Sequence, residues 1–396
     1  MTQPGTGPVV GIVGGGQLAR MLAEAATPLG IHVRVLAAAT DEGAAEVVPD
    51  LTVGNPDDPQ AILAFARTVD VLSFDHENVD HGALAELERT GIAVRPGLKL
   101  LSIADKAHQR STFSAAGLAV PEFLVLDAQQ ADALDRALAF SEEHADDEGL
   151  IVLKASRGGY DGRGVWMLRA DELEAFFDQY SGAPLVLEPK LPLDLELAVL
   201  VARNPSGQVE VWPVLETVQV NGMCDEVLLP ANVSATLAAE AEHIGRQIAE
   251  LLEAVGVFAV ELFVSSGKLL INEIAPRVHN SGHVTIEASA TSQFSQHLRA
   301  ILDWPLGPTH SLSRAAVMAN VVGTAGKDPR ESQAVALATV PQAQIHLYGK
   351  ESRPGRKIGH VTVLGEDLSQ CRTSAALAAA ALSAGHSAIS DGPPND

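Results

Sequence analysis

The sequence predicts a chain of mixed α/β and α+β class, with a Rossmann-like, parallel-sheet domain first and antiparallel, strand-rich units after it. A β-branched run, Val9–Val13, ends in Gly14-Gly15-Gly16 and passes straight into a helical pattern. Short apolar runs then alternate with helical periodicity over the first hundred residues, as βαβ units do. Beyond residue 105, strand patterns succeed one another with turn residues between them. At roughly 150 residues per domain, 396 residues hold two to three domains.

Residues 17–29 read as a helix closed by Gly30, 31–36 as the next strand and 69–74 as another. Arg95-Pro96-Gly97 is the first clear break and bounds a domain at 1–104. A small α+β unit, 105–186, has helices near 105–116, 128–143 and 171–180. Its strands lie near 123–126, Leu150–Ala155, 165–168 and 185–188. The remainder, 187–396, is strand-rich with one long helix at 235–255. That helix carries Leu237, Ile244, Ile248, Leu251 and Val255 on one face, and Gly256 ends it. From about Gly385 the chain is small, polar and Pro-rich, a composition that frays.

Lys+Arg 27 against Asp+Glu 50 gives 27 − 50 = −23. So acidic a chain repels nucleic acid and anionic membrane, and neither is expected as a partner. Cys224 and Cys371 match no zinc or CxxC spacing, and their number fits a reducing cytosol. No window reaches the ~18 apolar residues of a membrane helix. No Lys or Arg precedes Arg20, so a signal peptide is not expected and the location is read as cytoplasmic.

Five segments carry chemistry. Gly14-x-Gly16-x-x-Ala19 lies between a strand and a helix, where glycines let a phosphate approach unpaired N–H groups. A dinucleotide site also wants an acid after the second strand, but Val35-Leu36-Ala37-Ala38 has none, so a smaller phosphorylated ligand fits better. Lys154 precedes Gly158-Gly159-Tyr160-Asp161-Gly162-Arg163-Gly164, a strand-to-strand flap whose N–H groups can wrap a polyphosphate.

A hairpin, 258–264 and 268–273, carries Glu261, Asn272 and Glu273. A three-residue turn (265–267) would set Glu261 opposite Ile271, with Glu273 diagonal on the same face. Two close carboxylates need a cation, and with an amide they suit Mg²⁺. A two-residue turn would put the acids on opposite faces. The loop Arg277-Val278-His279-Asn280-Ser281 comes next, full of donors. Near the C-terminus Lys350, Arg353, Arg356 and Lys357 form a cationic cluster in an acidic chain, suited to a small phosphorylated metabolite.

In their order, the glycine turn, Asp105-Lys106, Lys154 with its flap, Glu188-Pro189-Lys190-Leu191, Glu261 and Asn272-Glu273 resemble the ATP-grasp enzymes. Within them, the flap 158–164, the stretch 272–297 with Ser292-Gln293-Phe294 and Gln296-His297, and the segment 346–360 are similar to the 5-(carboxyamino)imidazole ribonucleotide synthases. The resemblance runs from Gly11 to about Val363. It implies an ATP-grasp fold with a pre-ATP-grasp domain at 1–104, a lid at 105–186 and the metal and substrate sites in 187–396.

It further implies an ATP- and Mg²⁺-dependent ligase (Mn²⁺ being an alternative) of purine biosynthesis, acting on aminoimidazole ribonucleotide (AIR) and bicarbonate through carboxyphosphate. Lys106 and Lys154 would then hold ATP phosphates beneath a flap of Gly159, Tyr160, Asp161, Gly162, Arg163, Gly164 and Val165, where the family commonly has Gln at the last position. Glu188, Pro189, Lys190 and Leu191 would meet the adenine edge through their backbone, and Glu196 the ribose. Glu261 and Glu273 would hold the metal, with Asn272 beside them. Tyr160, Asp161, Arg163, Arg277 and His279 would surround the reacting groups. Gly16, Gln17, Leu18, Asp75, Glu77, Asn280, Ser281, Lys350, Arg356 and Lys357 would bind AIR. A homodimer is implied too.

Two departures stand out. The family's Glu-Asn-Val-His reads Glu216-Thr217-Val218-Gln219, and its Glu-x-Glu-Asn reads Asp75-His76-Glu77-Asn78. The alternatives are a biotin carboxylase-like or formate-using ATP-grasp ligase, an NAD(P)-dependent reductase and a non-catalytic nucleotide sensor. The Lys350–Lys357 cluster argues against the first, the missing acid after Leu36 against the reductase, and Lys154, Glu261 and Glu273 together against the sensor.

Overall fold

All the strands of the N-terminal region pair in parallel. The computed structural model describes residues 7–159 and 163–384. Its first sheet runs in the order Leu51–Val53, His32–Ala37, Val9–Val13, Val71–Phe74, Ala93–Val94, and every adjacent pair is parallel. Leu18, Met21 and Leu22 of the helix Gln17–Ala26 pack on Val10 and Ile12. Ile62, Phe65, Leu84 and Leu87 pack with Val13, Leu36 and Leu72 in a second cluster. Such two-sided burial is why these strands read as unbroken apolar runs. The chain turns back on either side of Val9–Val13, so a crevice opens at the carboxyl ends of this strand and of Val71–Phe74. The helix expected at 17–29 is α-helical to Ala26 and closes as a 3₁₀ turn, Thr27–Leu29, against Gly30 at φ 67°.

The next sheet is antiparallel and four-stranded, ordered Leu124–Leu126, Leu185–Pro189, Leu150–Ala155, Val165–Arg169. Leu185–Pro189 is an interior strand, so this unit runs past residue 186. Helix Lys106–Ala115, capped by Asp105, buries Phe113 with Leu197, Val199 and Phe258 of the largest sheet, not with the four-stranded one.

That largest sheet has nine strands, from the edge strand Lys268–Ala275 through Gly256–Ser265 and Leu195–Arg203 to Gln344–Leu347 at the far side. The long helix is Ala235–Leu251. It stops short of residue 255 because Glu253 turns into the left-handed region at φ 48°, and Gly256 is the first residue of the next strand. Val255 is therefore not on the helix face. Two further helices, Gln293–Ile301 and Leu368–Ala384, are absent from the sequence reading. The second buries Cys371, Ala375, Ala378 and Leu382 against the sheet. A stripe made mostly of alanine contrasts too little with its other face to stand out in a sequence. The segment from 385 lies outside the described residues.

One buried histidine joins the first domain to the rest. Val257 N–H donates to His297 Nδ1 at 3.0 Å, which leaves the ring proton on Nε2, 2.9 Å from Ser73 Oγ. Burial pushes His297 down to about 4. The unfolded chain binds this proton more tightly, so acid favours unfolding. The stability His297 supplies is complete above about pH 6.5 and fades toward pH 4, by up to about 3 kcal/mol. Urea unfolding of wild type and His297→Gln across pH 7 to 4 checks this. The wild-type loss over that range should shrink in the variant.

Candidate functional site

A cleft of about 1270 Å³ runs between the three sheets. At one end, the first sheet's crevice presents the glycine turn. Gly14 sits at φ +102°, and a Cβ there would lie 1.7 Å from Asp75 Oδ1. Gly16 N–H donates to Asp75 Oδ2 at 2.6 Å, so the acid at the end of one strand fixes the turn at the end of its neighbour. Burial raises the Asp75 carboxyl above its usual range, beyond what His76 and the Gly16 bond offset. Asp75, expected as a substrate ligand, thus spends its carboxylate on the turn. Glu77 faces Arg277, whose Nε and Nη2 reach its two oxygens at 2.5 and 3.3 Å. Burial alone would raise Glu77, but Arg277 outweighs it and holds the group at about 2.

At the other end a buried ion cluster forms between the small sheet and the large one. Glu188, 3% exposed in its side chain, takes Arg110 Nε at 2.5 Å and Lys154 Nζ at 2.7 Å. Lys154 also donates to Asn272 Oδ1 at 3.0 Å. Lys106, whose N–H is fixed by Ser156 O at 2.8 Å, pairs with Glu273. Burial, then the neighbouring Lys154, lowers Lys106 to about 8. Burial likewise lowers Lys154, though Glu188 opposes it. Burial is the main cause in both, so a bound polyanion would favour the charged ammonium groups, as a polyphosphate site requires. Glu196 lies nearby with Gln219, and burial together with Glu261 lifts it to about 7.

The hairpin between them departs from the expected register and still delivers its acids. Ser265 pairs with Lys268, so the turn has two residues, not three, and Leu262, not Glu261, faces Ile271. A regular ladder would then place Glu273 opposite Val260. A bulge between Glu261 and Leu262 inserts Asn272, and Glu261 pairs directly with Glu273. Glu261 Oε1 lies 3.1 Å from His279 Nε2. Burial opposes ionisation of Glu261, but the His279 bond and the charges of His279, Lys106 and Lys357 hold it below the usual carboxylate range. Among the described residues, no group of three or more His, Cys, Asp or Glu side chains could hold a metal ion. Two facing carboxylates with an amide instead fit a hard cation that takes its other oxygens from water and phosphate.

The loop beyond the hairpin carries Arg277, His279 and Asn280 into the cleft. Asn280 and Asn320 exchange amide hydrogen bonds at 2.9 Å. Ser281, expected to face substrate, is 1% exposed and bonds His279 Nδ1 at 2.9 Å, so it orients the imidazole. Lys350, Arg356 and Lys357 line the same cleft as Gln17 and Leu18. Gly43 explains their proximity, since a Cβ there would lie 2.3 Å from Tyr348 O and 4.0 Å from Gln17 N.

Gly159, Arg163, Val165, Pro189, Lys190 and Leu191 also line the cleft, whereas Gly16, Gly164, Asp75 and Ser281 do not. Lys190 turns its ammonium away, to Asp146 and Glu148. Tyr160, Asp161 and Gly162 lie outside the described residues. Arg110 is the residue that sequence reasoning misses. It stands one helical turn after Lys106, and a fully buried guanidinium needs a buried acid. That acid is Glu188, which the resemblance assigns through its backbone alone.

Three family models match successive stretches of the chain. The ribonucleotide synthetase preATP-grasp domain matches residues 8–105, the ATP-grasp domain 111–294 and the phosphoribosylaminoimidazole carboxylase C-terminal domain 316–374. The N5-carboxyaminoimidazole ribonucleotide synthase of Mycobacterium tuberculosis is 44% identical over 389 residues, 96% of this chain and 88% of that protein. The enzyme of Corynebacterium ammoniagenes is 42% identical, over 94% and 91%. A crystal structure of an N5-carboxyaminoimidazole ribonucleotide synthetase in complex with ADP superposes with TM-score 0.85 at 35% identity, covering 96% and 98%. One from Aspergillus clavatus, bound to ADP and 5-aminoimidazole ribonucleotide, gives 0.85 at 30% identity, covering 95% and 99%.

Proposed function

The chain belongs to the N5-carboxyaminoimidazole ribonucleotide synthases, ATP-grasp ligases, and from that premise we propose how its residues carry out the reaction. It carboxylates AIR at the expense of ATP in purine biosynthesis, the carbon coming from bicarbonate by way of carboxyphosphate. One observation carries this reading best. A single cleft holds lysines poised for phosphates, a facing acid pair and, at its far end, a second cationic cluster beside a glycine turn.

ATP lies with its phosphates toward Lys106 and Lys154 and its adenine against Pro189 to Leu191, while Glu196 meets the ribose beside Gln219. Glu261 and Glu273, with Asn272 beside them, would hold Mg²⁺ or Mn²⁺, which would neutralise charge on the transferring phosphoryl group. Bicarbonate oxygen attacks the γ-phosphorus and ADP leaves. Carboxyphosphate then splits into CO₂ and phosphate, and the amine of AIR adds to CO₂ with loss of a proton. Arg277, locked on Glu77, presents a fixed donor where these oxyanions develop, and His279, with one ring nitrogen on Ser281 and the other on Glu261, holds that carboxylate in place. Gln17, Leu18, Lys350, Arg356 and Lys357 hold the AIR phosphate, with Asp75 fixing the turn. Tyr160, Asp161 and Arg163 close over the reacting groups from the flap. The two-cysteine composition supports a cytoplasmic location, and the resemblance supports a homodimer. No helix among the described residues is long and apolar enough to cross a membrane.

ADP release in bicarbonate buffer, with and without AIR, tests the assignment. Turnover should depend on AIR; equal release without it, or release supported by biotin instead, would overturn the reading. Lys350→Ala should raise the AIR KM by roughly ten- to hundredfold, the worth of a charge-assisted phosphate contact. The ATP KM should stay within about twofold, because Lys350 lies over Tyr348, beside the glycine turn, whereas Lys154 is held by Glu188 and Asn272. A raised ATP KM with an unchanged AIR KM would mean the two phosphate sites are exchanged.

A further inference from the structure

Gln293, the first residue of the helix Gln293–Ile301, is fully buried. Its amide grips the backbone of a single residue from both sides. His279 N–H donates to Gln293 Oε1 at 2.9 Å, and Gln293 Nε2 donates to His279 C=O at 2.7 Å. The remaining N–H of Nε2 faces His283 Nδ1 at 3.1 Å. A flipped amide would set oxygen against oxygen and nitrogen against nitrogen, so the orientation is fixed by the backbone it serves. The helix itself is anchored, since Ser292 Oγ caps it and Thr285 Oγ1 accepts from Gln293 N–H at 2.9 Å.

The gripped residue is the one whose imidazole reaches Glu261. Residues 276–279 lie beyond the strand Lys268–Ala275 and outside any sheet. His279 N–H and C=O therefore have no ladder partner; Gln293 meets both, and the C=O also accepts from Gly282 N–H at 3.0 Å. Gly282 shows how closely the amide is held. A Cβ at that position would lie 2.3 Å from Gln293 Oε1 and 2.5 Å from its Cδ, although Gly282 has an unstrained backbone.

We propose that Gln293 is a positioning residue for the carboxylation reaction: it sets the His279 backbone, and through it the imidazole on Glu261. The inference rests on the function proposed above. The sequence of the loop does not by itself fix His279, because Pro276, Gly282 and the polar run between them favour no one conformation. The clamp converts that loop into a rigid mount for the imidazole that holds Glu261, and a positioned group displaced by about 1 Å costs on the order of a hundredfold in rate.

The test uses the full chain and three variants. Gln293→Met keeps length and removes both hydrogen bonds; Gln293→Glu keeps the acceptor and removes the donor. Gly282→Ala leaves Gln293 in the sequence but pushes its amide off the peptide. All three should lower kcat for AIR-dependent ADP release by roughly 30- to 300-fold. The ATP KM should stay within about twofold, since Lys154 and Lys190 are untouched. The decisive readout is a double-mutant cycle. In a His279→Ala background, Gln293→Met should cost less than about threefold more, because the imidazole it orients is already gone. Losses that multiply in the double variant would make Gln293 a structural residue only and overturn the proposal. So would full activity of Gln293→Met, or of Gly282→Ala should Gln293→Met fail to fold. Absence of AIR-dependent turnover in wild type would instead overturn the reaction on which the proposal rests.

Discussion

Glu261→Gln and Glu273→Gln should each reduce turnover by about 10²-fold or more, the scale of losing one preorganised electrostatic group. Each substitution keeps volume and an acceptor oxygen. An amide at position 261 can still accept from His279 Nε2, and one at position 273 can still meet Lys106, so thermal midpoints should move little. What is lost is one negative charge at the proposed cation site, where the metal would be held against the transferring phosphoryl group. Excess Mg²⁺ or Mn²⁺ should recover part of the activity. AIR binding should persist, because the phosphate site proposed for it, the glycine turn and the Lys350 cluster, does not include either acid. Steady-state kinetics with a metal titration, alongside thermal melts, measures this. Near-normal turnover in either variant would place the metal elsewhere.

Glu188→Gln should be the most destabilising conservative change in the cleft. Glu188 is the only acid within ion-pair distance of both Arg110 and Lys154 among the described residues. Burial alone would raise its carboxyl, yet the two cations hold it at about 2. Removing that charge strands two buried cations, and breaking such a cluster from one side costs about 3–5 kcal/mol. Urea unfolding gives the number. A loss below about 1 kcal/mol, the worth of an exposed pair, would mean Arg110 is neutralised by another group. ATP should also raise the unfolding midpoint of Glu188→Gln more than that of wild type, since its phosphates would then supply the missing anions.

Much of the cleft's lining is legible in the sequence because its signals are local. Val9–Val13 with its glycines, Lys154 before the flap, and the paired acids of the hairpin each announce themselves within a short stretch of chain. The features that escape depend on contacts distant in sequence. Nothing near Asp75 says that its carboxylate turns to Gly16, 59 residues away, and nothing near Arg110 points to Glu188, 78 residues away. The end of the long helix misleads because Gly256 looks like a terminator, while the left-handed turn is made by Glu253, an unusual residue for that conformation. The hairpin is instructive in another way. Its core residues are Leu269, Ile271 and Ile274, spaced by two and then by three. That break in alternation marks a bulge, and it is present in the sequence.

The bulge makes Asn272 behave like an inserted letter that restores a reading frame. The short turn leaves the returning strand one residue out of phase, and the extra amide brings it back into phase before the acid arrives. Deleting Asn272 should therefore not scramble the chain downstream. Ile271 and Glu273 would become neighbours on a regular ladder, still opposite Leu262 and Glu261, with Arg277 and His279 carried along in their present phase. The deletion would take away the amide alone, the group whose oxygen receives Lys154 and which stands beside the two acids of the proposed metal site. Adding a residue to the Ser266-Gly267 turn instead would shift the phase of the whole returning strand. A cut and an insertion of equal length, made within the same hairpin, thus have opposite consequences for the cleft.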